Sequence, residues 1–154
     1  MFPTLPGGGS TRAAIAIFEH VFIESLRPIF PRLAAPTSSV LNPPSDQIFR
    51  AAREKRWGNI DELAASGPIR DKMWKEVKEG FDRLAGFLEK DGDGKLFYLG
   101  NTFSFADVVA ISFLAWVKIV LGEESEEWKT VTSWNNGRWA NLVESKKELL
   151  AVEN

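Results

Sequence analysis

The chain has 154 residues, a size typical of one domain with a single buried core. Its 19 Lys and Arg residues against 21 Asp and Glu residues give a net charge of −2, without the basic excess that favours nucleic-acid binding. It contains no cysteine and a single histidine, His20. This composition excludes disulfides, thiolate metal sites, cysteine nucleophiles and any Ser-His-Asp triad that does not use His20. We therefore expect no metal site, no nucleic-acid partner and no self-contained hydrolase.

The start of the sequence and its most apolar segment bear on location. Residues 1–9 are rich in Pro and Gly, which predicts a linker preceding a domain over residues 10–154. No basic segment precedes an apolar one there, so we expect no signal peptide. The strongly apolar stretch Val108–Val117 is half as long as the roughly 20 residues that span a membrane. These features favour a cytoplasmic protein that does not enter membranes.

The first predicted helix begins at Ser10 or Thr11, either of which can serve as its N-cap. Apolar residues then recur at intervals of three and four, as expected for one face of a helix: Ile15, Phe18, Phe22, Leu26, Ile29 and Leu33. Pro28 and Pro31 should kink or end this helix. The segment Pro36–Pro44 is predicted to interrupt helical structure again. His20 lies beside the apolar stripe, and we expect a partly buried, structural imidazole.

The middle of the chain predicts further helices. A helical pattern over residues 48–63 is interrupted near Gly58, and Ser66-Gly67-Pro68 opens a clearly amphipathic helix. That helix should stop at Asp91–Gly94, which lacks the Gly and Glu positions of a calcium-binding EF-hand loop. Val108–Val117 has no polar face beyond Ser112, so we expect a central helix surrounded by protein on all sides.

The last part of the chain contains a charged segment around Trp128, a turn at Asn135–Gly137 and a final helix over about Arg138–Leu150. No alternating pattern indicates paired strands. The predicted fold class is therefore an all-α bundle of about six or seven helices around one buried central helix.

Ser104 and Asp107 form the clearest local motif. Their Ser-x-x-acid spacing is that of a capping box, in which the two side chains satisfy free amides at the start of a helix. Phe103 and Val108 fit the accompanying hydrophobic contact. We predict a structural role for this pair and not a catalytic one.

The aromatic residues allow two interpretations. Six Trp and eleven Phe exceed the needs of a minimal helical core. Core packing is the simpler explanation, but aromatic side chains also line apolar ligand clefts between helices. The sequence alone does not separate these possibilities.

The segment Phe97–Val108 resembles the signature of the C-terminal helical domain of glutathione transferases, where an aromatic-Leu-Gly turn leads into the Ser-x-x-Asp cap of a buried helix. Segments Leu41–Ser45, Phe49–Glu54 and Trp116–Trp139 are similar to fungal, etherase-like transferases, and Thr4–Gly7 is similar to their interdomain linker. The resemblance thus extends over nearly the whole chain.

This resemblance implies that glutathione and the residue that activates its thiol belong to an N-terminal thioredoxin-like domain, which the sequence lacks. No catalytic residue is carried over, and no cofactor is expected on this chain alone. The helical domain of the family supplies most of a hydrophobic second-substrate pocket and part of a dimer interface. Asn101 departs from the family, which most often has Asp at this position.

Three residues are candidate walls of such a pocket. Phe113 and Trp116 share one side of the central helix by their spacing, and Phe22 of the first helix can face them. The expected ligand is an apolar aromatic small molecule, and the expected protein partners are a second copy or a thioredoxin-like half. Two other interpretations stay open: a non-catalytic interaction module on the same fold, and a fragment of a longer protein.

Overall fold

The computed structural model describes residues 11–92 and 94–149. These ranges form seven α-helices: α1 (Thr11–Leu26), α2 (Ile29–Ser39), α3 (Pro43–Trp57), α4 (Ile60–Ala64), α5 (Pro68–Leu88), α6 (Phe105–Leu121) and α7 (Glu126–Glu144). Short 3-10 turns follow α5 and α7. The described ranges contain two isolated antiparallel bridges, near residues 97–102, and no longer strand. The predicted all-α fold class is confirmed, while the expected linker at residues 1–9 lies outside the described residues.

Proline positions explain the first helix boundaries only in part. α1 ends at Leu26 and α2 begins at Ile29, which confirms that Pro28 separates them. The interruption predicted for Pro36–Pro44 is confirmed between Ser39 and Pro43, but it begins later than expected, because α2 continues through Pro36 to Ser39. Thr37 and Ser38, which follow this proline in the helix, are buried. The stabilisation from their tertiary packing therefore outweighs the loss of the one backbone N–H donor that Pro36 removes.

The predicted break near Gly58 is confirmed, since α3 ends at Trp57 and Gly58 adopts a φ of 80° that favours glycine. Asparagine side chains cap both helices around this break. Asn42 accepts a hydrogen bond from the Ser45 amide at 3.1 Å, and Asn59 accepts one from the Asp61 amide at 3.0 Å. α3 and α4 thereby form a short helical corner that packs against α2.

α6 carries the largest share of apolar residues and packs against α1, α2 and α7. Its buried side includes Ile111, Leu114 and Val117. The expectation that protein surrounds this helix on all sides is wrong, because Ser112 is exposed and Ile119 is 68% exposed. A helix can carry apolar residues all round and still leave one stripe outside the contacts of its own domain. None of the helices in the described part of the chain has the length and low charge needed to cross a membrane.

α7 contains the predicted turn at Asn135–Gly137, with helical structure on both sides of it. Residues around Trp128 are helical, and the Ser125 hydroxyl caps this helix by accepting from the Trp128 amide at 3.1 Å. At the predicted turn, Asn135 and Asn136 have φ values of 51° and 58°, and Gly137 one of 74°. Such left-handed backbone is most accessible to Gly and Asn, which explains the residue types found there. The chain then resumes a helix up to Glu144.

Candidate ligand-binding groove

A groove of about 670 Å³ opens on the surface formed by α1, α2, α3, α5 and α6. Its volume lies within the roughly 300–1,000 Å³ typical of small-molecule pockets. Four aromatic side chains line it: Phe30, Phe49, Trp57 and Trp116. The groove therefore combines apolar walls from three separate helices.

The wall formed by α2 and α6 is a connected group of rings. Phe30 and Trp116 lie nearly parallel, with ring centroids 6.1 Å apart and an interplanar angle of 25°. Phe113 contacts both rings edge-on, at 6.0 Å from Phe30 and 5.6 Å from Trp116. Phe22 packs in turn against Phe113 at 5.4 Å. Such tilted pairs add stabilisation beyond their buried area, so the wall is held by the core behind it.

The three predicted wall residues occupy different depths. Trp116 lines the groove, and its contact with a ligand stays a prediction. Phe113 is half-buried behind it and does not belong to the lining. Phe22 is only 2% exposed and does not line this groove, because α1 turns its ring into the core, where it packs against Phe113.

A second wall of the groove, on α3, brings arginines onto aromatic rings. The Arg53 guanidinium lies 4.8 Å from the Phe49 ring centroid and 5.6 Å from that of Trp57. Arg56 lies 5.4 Å from the Trp57 centroid. These distances are those of cation–π contacts. Both arginines line the groove with the rings that they contact.

Two carboxylates also line the groove, and each has a basic partner. Arg27 donates from Nε to Glu24 at 3.0 Å, and this hydrogen bond holds the pKa of Glu24 below its usual value. Glu76 pairs with Lys72 at 3.9 Å. Neither carboxylate is paired with an arginine of α3.

Thr37 is the buried polar side chain of the groove. It is 9% exposed, and its hydroxyl has no hydrogen-bond partner among the described residues. The hydroxyl oxygen itself is shielded from solvent, so it lies behind the surface of the groove and offers no direct contact to a ligand.

Ser104 and Asp107 hold the start of α6, the helix that carries Trp116. Asp107 accepts from the Ser104 amide at 2.8 Å and from the Ser104 hydroxyl at 2.6 Å. Its second carboxylate oxygen accepts from the Tyr98 amide at 2.9 Å. Burial, reinforced by the negative charge of Asp107, raises the pKa of Tyr98. The pair acts on the groove through the placement of α6 and does not line it.

Sequence reasoning missed the α3 wall and the polar residues of the groove. Phe49, Arg53 and Trp57 recur at intervals of four, which places them on one face of a helix and was the available signal. His20, expected to be partly buried, is exposed because it lies off the face of α1 that meets the core. Among the described residues, no group of three acidic or histidine side chains is placed to hold a metal ion.

Comparisons with known proteins identify the fold. The family model described as glutathione S-transferase, C-terminal domain matches residues 13–149. No curated protein gave a significant sequence match.

Solved structures of fungal glutathione transferases are similar to the chain. Two of them are CsGST83044 and CsGST63524 of Ceriporiopsis subvermispora, both in complex with glutathione, and each shares 34% identity with the chain. The chain superposes on CsGST83044 with a TM-score of 0.86 over 92% of its length. It superposes on CsGST63524 with a TM-score of 0.89 over 94% of its length. GSTFuA3 from Phanerochaete chrysosporium shares 32% identity, with a TM-score of 0.85 over 97% of the chain. The chain spans 57–58% of the length of these three proteins. It belongs to the glutathione S-transferase family and corresponds to the C-terminal helical domain.

Proposed function

We propose that this helical domain provides the hydrophobic acceptor pocket of a glutathione transferase, with the groove beside Trp116 holding an apolar aromatic molecule. The observation that carries the proposal is the groove itself. Four aromatic side chains line it, and its volume suits a small ligand. Glutathione is assigned to a separate thioredoxin-like domain. The contribution of the helical domain to catalysis is then to position the acceptor, not to activate the thiol.

The test uses a neutral aromatic probe, 2-naphthamide, titrated into the purified chain by calorimetry. We expect saturation near one probe per chain. Replacing Trp116 with Leu should weaken binding about tenfold, because buried Trp side chains often dominate a binding surface. Leucine keeps the position apolar while removing the ring that faces Phe30.

Trp134 provides the matched control. It is also half-buried, but it packs against Trp74 and Phe81 away from the groove, with centroid distances of 6.0 and 5.5 Å. Trp134→Leu should therefore leave the affinity within twofold. Equal weakening in both variants, with folding verified by circular dichroism, would contradict a role for the groove.

The alternative is a non-catalytic interaction module, in which the helical fold binds another chain or a second copy of itself. The exposed side of α6 favours this alternative, since Ile119 is 68% exposed, unlike the other apolar residues of this helix, and lies on the same side as the exposed Ser112. The same titration decides between them. No saturable binding of the probe by a protein with a dimeric mass in light scattering would select the interaction module.

A further inference from the structure

The α3 wall of the groove carries positive charge that the domain itself does not neutralise. In the part of the chain that the structure describes, Arg53 and Arg56 contact aromatic rings and form no ion pair. The neighbouring Arg50, by contrast, is paired with Glu54 at 3.2 Å and with Asp61 at 2.8 Å. Arginines spaced three residues apart on α3 therefore differ in whether a carboxylate neutralises their charge.

The balance of charge in the groove is opposite to that of the whole chain. Its lining contains three arginines and two glutamates, a net charge of +1, whereas the chain carries −2. Glu24 is already bound to Arg27, and Glu76 to Lys72. The carboxylates of the lining thus leave Arg53 and Arg56 without a partner.

A guanidinium that stacks on an aromatic ring through its face keeps the N–H groups at its edge for an acceptor. Arginine is suited to this double role, because its planar fork binds carboxylates while its face packs on rings. Arg53 is only partly exposed, so a carboxylate beside it would be less screened than at an open surface.

We propose that the groove selects aromatic carboxylates, with the ring of the ligand on the Phe30 and Trp116 wall and its carboxylate at Arg53 and Arg56. This inference rests on the proposed pocket and specifies the class of molecule that it takes. Arg53 and Arg56 are specificity-determining residues in this assignment, and they bind the ligand without taking part in bond chemistry.

The test compares 2-naphthoate with 2-naphthamide, which share a ring system and differ in charge. We expect the purified chain to bind the carboxylate about fivefold to tenfold more tightly at low salt, as charge-assisted hydrogen bonds would give. The double variant Arg53→Gln and Arg56→Gln should lose this preference and still bind 2-naphthamide. Raising the salt concentration to 0.5 M should reduce the preference of the unmodified protein.

A control variant removes the same charge elsewhere. Arg83 and Lys90 are exposed and lie outside the groove lining, so replacing both with Gln should keep the preference for 2-naphthoate. Equal affinity of the unmodified protein for the two probes would overturn the charge selection while leaving the pocket intact. Failure of both probes to bind would overturn the pocket as well, which separates the two proposals.

Discussion

Asp107 shows how one buried side chain fixes the helix that carries the groove wall. It is fully buried, and its carboxylate accepts three hydrogen bonds, two from Ser104 and one from the Tyr98 amide. The start of α6 is thereby tied both to its own cap and to the turn that precedes it. A carboxylate is suited to this position because it accepts hydrogen bonds at both oxygens.

Replacing Asp107 with Ala should lower the free energy of unfolding by about 3–5 kcal/mol, since two buried donors and one partly buried donor lose their acceptor. Ser104→Ala should cost about 0.5–2 kcal/mol, because the backbone amide of residue 104 keeps its bond to Asp107. Urea unfolding of the two variants measures the difference. A loss in Asp107→Ala no greater than that in Ser104→Ala would show that the Tyr98 contact contributes little.

At the scale of elements, α1 and α5 approach each other so closely that only glycine fits at one point. A Cβ atom built on Gly80 would lie 1.9 Å from the backbone oxygen of Ser25. Gly86, on the same helix, has nothing within 4 Å of the corresponding position. One glycine therefore sets the distance between two helices, and the other has no such role.

The two glycines of α5 should respond in opposite directions to the same substitution. Gly80→Ala should destabilise the fold by about 1–3 kcal/mol or more, because the backbone of α1 must shift to admit the methyl group. Gly86→Ala should stabilise it by about 0.4–1 kcal/mol through the reduced entropy of the unfolded chain. Thermal and urea unfolding of both variants measure the signs. Similar effects at both positions would contradict a close contact between α1 and α5.

Element positions were largely predictable, whereas contacts between elements were not. Local signals act within a few residues, which is why Pro28, Gly58 and the Ser104 cap marked helix boundaries correctly. The exposure of Ile119 and the close approach at Gly80 depend on how distant helices pack. Spacing placed Trp116 on an aromatic face of its helix, but only the fold shows that residues of α3 line the same groove.

At the scale of the whole molecule, a small charged cluster joins α2, α5 and α7. Arg32 is 5% exposed and lies 3.4 Å from a carboxylate oxygen of Glu127, which also accepts from Arg70. Burial opposes the ionisation of Glu127. Its hydrogen bonds and the two nearby guanidinium groups outweigh that effect and hold the pKa of Glu127 below its usual value.

Replacing Glu127 with Gln should destabilise the protein at neutral pH by about 1–3 kcal/mol, because the buried Arg32 guanidinium loses its charged partner. A carboxyl with a lowered pKa in the folded state stabilises the fold above its unfolded pKa, and this contribution fades as the pH falls through the folded value. The difference in unfolding free energy between the unmodified protein and the variant should thus be constant from about pH 6 to 8 and shrink below about pH 4.5. Urea unfolding across this range measures it.

Glu126→Gln is the matched control for this pH dependence. The Glu126 side chain is 90% exposed and lies 3.6 Å from Lys129, a surface pair that contributes little. Its replacement should change stability by less than about 0.5 kcal/mol at any pH in the range. A Glu127→Gln difference that persisted unchanged to pH 3 would instead assign its cost to the altered hydrogen bonding of the amide and not to the lost charge. Because Arg32, Arg70 and Glu127 come from three helices, an effect that fades in acid would show that electrostatic contacts help to hold these helices together.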